Sequence, residues 1–330
     1  MKLASSSTAL GAFAIAAAAF AAPAMAQTSM TIKSSDVHPL GYPTVEAVVQ
    51  MGKKLEKATK GRLKIQMFPG GQLGGEKEMI EQAQVGALQM ARISVGPMGT
   101  IIPELNVFNM PFVFTGAAHM RKVIDGPIGQ EMLDKISSNS RTKLIALAWM
   151  DAGSRNVYTE RAIRKPADLK GLKIRMMGNP LFVDTMNAMG GNGISMGFGE
   201  LYNALQTGVV DGAENNEPTY VTHNHYTIKK FFSKTEHLII PEILVFSRAA
   251  WDKLSKDDQA LIKKLGREAQ TEQRALWDAM VEKSIKTLKE KGVTIVSDVD
   301  KKAFQDAVKP VYTKYGKQFA DLMKRIDSAK

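Results

Sequence analysis

Arg175 stands in "DLKGLKIRMMGNP", residues 168–180, inside what otherwise reads as a buried strand. A guanidinium does not give up its proton, so burying one requires an anion beside it. Along "LKIRMM" the side chains of Leu172, Ile174 and Met176 share one face, and Lys173, Arg175 and Met177 the other. Arg175 lies near the C-terminal end of that strand, where open α/β sheets present their ligand sites. Two anions fit: a carboxylate of the protein, giving an ordinary ion pair, or the carboxylate of a ligand. Either can be held by two parallel hydrogen bonds, which lysine cannot offer.

Other groups in the chain suggest different chemistry. "GISMG", Gly193 to Gly197, matches a nucleophile elbow around Ser195, and His223, His225 and His237 follow it, so a secreted serine esterase is the rival enzyme reading. That elbow needs a strand immediately before the serine and a helix immediately after, whereas "GGNG" precedes it and "GFG" delays the next helix. His223 and His225 form a weak metal pair with no assured third ligand, and read as solvated loop residues. "PGGQLGG" lacks the Gly-Lys-Ser/Thr ending of a phosphate loop and reads as a turn, so no cofactor and no metal is expected.

Alternating and helical periodicities place these residues. "MTIKSSDV", "RLKIQMF", "LQMARISV" and "KLIALAWM" read as strands separated by helices such as "TVEAVVQMGKKLEKATKG" and "EKEMIEQAQVGAL", and "HMRKVIDGPIGQEMLDKI" reads as one further helix. The second half repeats the logic, with strands at "SRNVYTERAI", "KIRMM", "GISM" and "VVDGAE". The fold class is therefore α/β, with mixed sheets and helices on both faces. "FFSKTEHLIIPEILVFS" contains no helix and reads as a strand crossing between two lobes, with Pro241 at a hinge or edge. Residues 255–291 carry no proline and would make a helix roughly 50 Å long, enough to brace both lobes. Lobe I is expected to comprise residues 27–152 plus 241–280, and lobe II residues 153–240 plus 281–330, with the cleft between them.

The first 26 residues, "MKLASSSTALGAFAIAAAAFAAPAMA", have the early lysine, apolar run and Ala24-x-Ala26 ending of a secretory signal peptide, with cleavage expected after Ala26. The chain has no cysteine, which excludes disulfides, thiolate metal sites and a cysteine nucleophile. Its formal charge of +11 raises a nucleic-acid partner, but the lysines are interleaved with acids along helices, as in "KSIKTLKEKG", and lack interleaved aromatics. Attraction for anionic solutes is the better reading of that charge.

"RKPADLKGLKIRMMGNP", "GELYNALQTGVVDGAENN", "FPGGQLGGEKEMI" and "PELNVFNMPFVF" resemble signature stretches of the substrate-binding proteins of tripartite ATP-independent periplasmic (TRAP) transporters, over residues 31 to 320. The resemblance implies a two-lobed periplasmic binding protein, a monomer, that closes on a small carboxylate and delivers it to integral-membrane transporter subunits. It places Arg175 on the ligand carboxylate, and adds Arg155, Asn215 with its neighbour Glu214, and Phe198 at the "GFGELY" turn. Asn215 is equally good turn chemistry, and Phe198 equally a core aromatic. From the N-terminal lobe, His38, Glu76 and Ser94 sit at strand-to-helix connections facing the cleft. Glu76 accepts hydroxyls well and suits a second ligand carboxylate poorly, so the mixture fits a sugar acid, an aldonate or hexuronate, better than a C4-dicarboxylate or 2-oxo acid. The plainer alternatives are charge compensation of a helix N-terminus for Glu76 and a solvent-facing turn for His38.

Overall fold

The computed structural model describes residues 29–330; the leader and its cleavage point after Ala26 lie outside the described residues. Two sheets carry the architecture. The first contains β1 (Met30–Ser35), β2 (Leu63–Phe68), β3 (Met90–Ser94), β4 (Leu144–Met150) and β10 (Glu242–Ser247), in the order β2-β1-β3-β10-β4. β1 runs parallel to β2 and β3, while β10 is antiparallel to β3 and β4. The second contains β5 (Ser154–Thr159), β6 (Lys173–Met176), β7 (Asn192–Ser195), β8 (Gly212–Asn215), β9 (Phe231–Ile239) and β11 (Thr294–Val296), in the order β11-β9-β5-β8-β6-β7. Both are mixed sheets, as the alternation of strands and helices required.

Local chemistry sets the flanking helices. The helix Pro43–Ala58 opens on a proline at its first turn and buries Val45, Val48, Met51 and Leu55, and the chain leaves it through Gly61 at φ +82°. Residues 117–138 are not one helix: Ala117–Asp125 ends at Gly126, and Pro127 starts a second, Pro127–Ser138. Proline has no N–H for the ladder and its ring collides with the carbonyl four residues back, so an apolar period that runs through it still breaks there.

The chain passes between the sheets at 151–153, joining β4 to β5, and at Ile240-Pro241, joining β9 to β10. The long apolar run is thus two strands of different sheets with proline at the crossing. The helix Lys256–Glu290, 35 residues and about 50 Å long, is capped by Ser255 Oγ accepting from Asp258 N. Ile262, Leu265 and Ala269 pack under the first sheet, and Leu288 packs into the core of the second. Between them Gln273 brackets the first crossing, accepting from Asp151 N and donating to Asp151 O, both at 2.9 Å. The last helix, Ala320–Asp327, docks on Ala117–Asp125 through His119 Nε2 and Ile326 O, 2.8 Å apart. Among the described residues no helix is long and apolar enough to cross a membrane.

Candidate functional site

Between the sheets lies a cleft of about 740 Å³ lined from both sides. On the second-sheet wall, β6 is hydrogen-bonded on both edges, so Arg175 is fixed opposite Ile194 of β7 and Ala213 of β8. Only 2% of Arg175 is exposed. Its Nε donates to Met196 O at 2.9 Å, its Nη1 is buried with no hydrogen-bond partner, and Nη2 donates to no described residue. No carboxylate of the described residues forms a salt bridge with it. Burial therefore pulls its pKa below the ordinary value, with Arg155 adding to the effect and Glu214 opposing it. Phe198 turns its ring toward the guanidinium, 5.7 Å from Cζ to the ring centre, at the rim of the cleft.

Arg155 is different, because it already has a counter-ion within the protein. β5 and β8 are antiparallel neighbours with Asn156 opposite Asn215, which brings Arg155 beside Glu214. Arg155 Nε donates to Glu214 Oε2, Nη2 to Glu214 Oε1 at 2.8 Å and to Glu214 O at 2.9 Å, and Nη1 to Asn215 Oδ1 at 3.2 Å. Glu214 is fully buried, does not line the cleft and is the counter-ion of Arg155. Asn215 Oδ1 also accepts from Asn216 N, which leaves the Asn215 amide nitrogen to the cleft. Asn216, not singled out in the sequence, caps the helix Glu217–Thr222 and donates to Ala152 O at the crossing.

The opposite wall centres on Arg92, which the sequence reading passed over although it sits in the apolar strand "MARIS" as Arg175 does in "KIRM". Arg92 Nη2 donates to Asp36 Oδ1 at 2.5 Å, and Nη1 to Glu76 Oε1 at 2.5 Å and Glu242 Oε2 at 2.6 Å. Glu242, on β10 opposite Ser94, is pushed up to about 7: burial raises it, Arg92 opposes, and Glu76 and Asp36 add to the rise. Glu76 Oε1 also accepts from Ser94 N at 3.1 Å, and Ser94 Oγ caps the turn Val95–Met98. Glu76, Ser94, Glu242 and His38 all line the cleft.

His38 is not a solvent-facing turn residue. Its ring stacks on Tyr42 with centroids 3.8 Å apart, and its Nδ1 hydrogen-bonds with His223 Nε2 across the cleft at 3.1 Å. The histidines read as solvated are also packed in: His223 sets its ring edge-on to Phe198, and His225 is buried against the Tyr158 hydroxyl at 2.8 Å. Tyr42 Oη to Thr219 Oγ1 at 2.9 Å and Asn179 Nδ2 to Gly96 O at 2.8 Å complete the bridging between walls. Ser195 ends the edge strand β7 and is followed by Met196, Gly197 and a single 3-10 turn, so the elbow geometry is absent. Among the described residues no acidic and histidine cluster could hold a metal ion.

The family described as bacterial extracellular solute-binding protein, family 7 (DctP), matches residues 34–318. A solute-binding protein of Chromohalobacter salexigens is 38% identical over 288 residues, 87% of this chain and 85% of its own. Among solved structures, a TRAP periplasmic solute-binding protein of Pseudomonas putida F1 with bound D-glucuronate is 58% identical at a TM-score of 0.88, covering 90% of this chain and 97% of that one. One from Citrobacter koseri with bound D-glucuronate is 47% identical at a TM-score of 0.89, covering 91% and 100%. The apo, open form from the same organism gives 0.79 at 46% identity, covering 90% and 98%, so the lobes here are placed nearer the ligand-bound arrangement. With two mixed sheets, a buried arginine in the cleft that no described carboxylate pairs, and a family match over most of its length, the chain belongs to bacterial extracellular solute-binding protein family 7, the substrate-binding receptors of TRAP transporters.

Proposed function

We propose that this protein captures a hexuronate such as D-glucuronate in the periplasm and hands it to integral-membrane TRAP subunits, after removal of its leader at Ala26. One observation carries the reading: a fully buried guanidinium whose Nη1 has no partner, turned into a cleft. A ligand carboxylate completes it with two charge-assisted hydrogen bonds. Asn215 Nδ2 then donates to a ring or hydroxyl oxygen, Glu76 and Glu242 accept from hydroxyls, Ser94 and His38 line the far side, and Phe198 walls the mouth. Arg155 serves the same end by holding Asn215 in place.

Closure follows from the same imbalance. Bringing the walls together around an empty site strips water from Arg175 with nothing to replace it, so the unliganded protein favours the open form. Only interactions made solely in the closed form drive closure, and the Arg175–carboxylate pair is one of them. The bodies that move are residues 27–152 with 241–280 and residues 153–240 with 281–330, except that the helix Ala320–Asp327 travels with the first through His119. They turn about 151–153 and 240–241.

Bound hexuronates in relatives of 47–58% identity support this ligand class. Isothermal titration calorimetry of the mature protein against D-glucuronate, D-galacturonate, D-gluconate, succinate and pyruvate tests it. Micromolar or tighter binding of a hexuronate and much weaker binding of succinate and pyruvate is the expected result. Tight succinate or pyruvate binding with no hexuronate binding rejects the ligand class.

A further inference from the structure

The two walls carry opposite charge. On the second-sheet wall Arg155 and Arg175 face one buried carboxylate, Glu214, which leaves a positive charge over in the interior; the further acid on that wall, Glu200, is exposed at the mouth. On the first-sheet wall Arg92 alone faces Asp36, Glu76 and Glu242. Asp36 is saturated behind the surface: it accepts from Arg92 Nε and Nη2, from His38 N at 3.0 Å and from Thr44 Oγ1 at 2.6 Å. Glu76 and Glu242 each commit one oxygen to Arg92 Nη1. Among the described residues nothing donates to Glu76 Oε2 or Glu242 Oε1, and both side chains line the cleft. Among the described residues that line the cleft, the further cation on this wall is Lys77, which is exposed and flanked by Glu78 and Glu81.

We propose that Glu76 and Glu242 are specificity residues that restrict the cleft to acids with a carboxylate at one end only, rejecting sugar acids of the same length that carry one at both ends. The inference rests on the reading that Arg175 takes the first carboxylate. A hexuronate seated there presents neutral hydroxyls or its ring oxygen to the far wall, and hydroxyls donate to the two open carboxylate oxygens. D-glucarate, which differs from D-glucuronate in having C1 oxidised to a carboxylate, sets an anion against those same oxygens. Arg92 Nη1 is already shared between Glu76 and Glu242, so what remains on that wall is neutral, the Ser94 hydroxyl and the His38 ring, and among the described residues no uncommitted buried cation is there to receive it. The wall is crowded with negative charge before any ligand enters, as the raised pKa of Glu242 reflects.

Calorimetric competition between D-glucuronate and D-glucarate on the mature protein at pH 8, where the Glu242 carboxyl, pushed up to about 7, is largely ionised, tests this. Because like charges set face to face are strongly disfavoured in a desolvated site, the wild type should bind D-glucarate at least ~100-fold more weakly. Glu242→Gln and Glu76→Gln each remove one negative charge, and each should narrow the ratio at least ~10-fold, D-glucarate gaining and D-glucuronate losing. Circular dichroism establishes that each variant is folded; if one is not, the other variant and the wild-type ratio decide. Equal wild-type affinity for both acids, or a ratio unmoved in a folded variant, overturns the inference while leaving hexuronate capture standing. Failure of the wild type to bind D-glucuronate at all instead overturns the reading on which it rests.

Discussion

Substituting Arg175→Met separates a ligand-binding arginine from a structural one, because the two predict opposite changes in the unliganded protein. Its Nε is committed to Met196 O, which leaves the Nη1 and Nη2 edge for a carboxylate. Two charge-assisted hydrogen bonds at about 1.5–3 kcal/mol each amount to about 3–6 kcal/mol, or a roughly 10²- to 10⁴-fold rise in Kd for D-glucuronate. The substitution Arg175→Lys keeps the charge but loses the fork, and should fall between wild type and Arg175→Met. In the absence of ligand, Arg175→Met removes a buried charge that no carboxylate compensates, and exposes only the Met196 carbonyl as a lost partner. Urea denaturation should therefore find the variant within about 1 kcal/mol of wild type or more stable. Were Arg175 one half of a structural ion pair, its removal would cost about 3–5 kcal/mol. Binding is read by calorimetry and stability by the urea midpoint on the same preparation. A strongly destabilised variant that still binds D-glucuronate normally refutes the reasoning.

Arg155→Met should behave in the opposite way, losing about 3–5 kcal/mol in urea because Glu214 is left buried and unpaired, and Arg155→Met combined with Glu214→Gln should recover much of it; a stable single variant contradicts the pairing seen here. Burial pushes the pKa of His223, His225 and His237 down to about 4, 3 and 4 from 6.5, so all are neutral at pH 7. These imidazoles take up protons on unfolding, so their contribution is whole above pH 6.5 and is lost as pH falls toward 4. His237→Gln, which can keep the hydrogen bond to Thr235 Oγ1, should accordingly lessen the fall in melting temperature between neutral pH and pH 4; an unchanged acid slope contradicts this. Gly153 holds φ +61° at the first crossing, and a Cβ there would lie 2.9 Å from Trp277 Cζ2 on the long helix. Gly153→Ala should lose about 1–3 kcal/mol in chemical denaturation, and no loss would show that the crossing is looser than its geometry implies.

Much of the fold could be read from short-range pattern. Alternation marked β2 and β6, and the proline-free stretch after Ser255 marked the bracing helix. Pro241 correctly signalled a crossing, though what reads as one strand is two, in different sheets. At residues 117–138 the helical period of the apolar residues outweighed Gly126-Pro127, and the proline prevailed in the fold. The site was legible only in part, because ion pairing is decided by which strands become neighbours. Arg175 and Arg155 carry similar local signals, yet Arg155 lies beside β8 and finds Glu214, 59 residues away, while Arg175 finds none. Arg92 bore the same signal as Arg175 and was missed. Its three carboxylates come from β1's end, a helix start and β10, and only the β3–β10 register brings Glu242 opposite Ser94. The histidines after residue 220 sit in loop-like sequence, so their burial against Tyr158, His38 and Phe198 has no local mark.

A crystal structure of the complex with D-glucuronate tests the central claim most directly, since it asks what completes the buried guanidinium of Arg175, which no carboxylate of the described residues pairs. Both oxygens of the sugar carboxylate should lie about 2.7–2.9 Å from Nη1 and Nη2 of Arg175, with the hydroxyls toward Glu76 and Glu242. A carboxylate placed against solvent or Lys77, with Arg175 satisfied by a protein group, would contradict it.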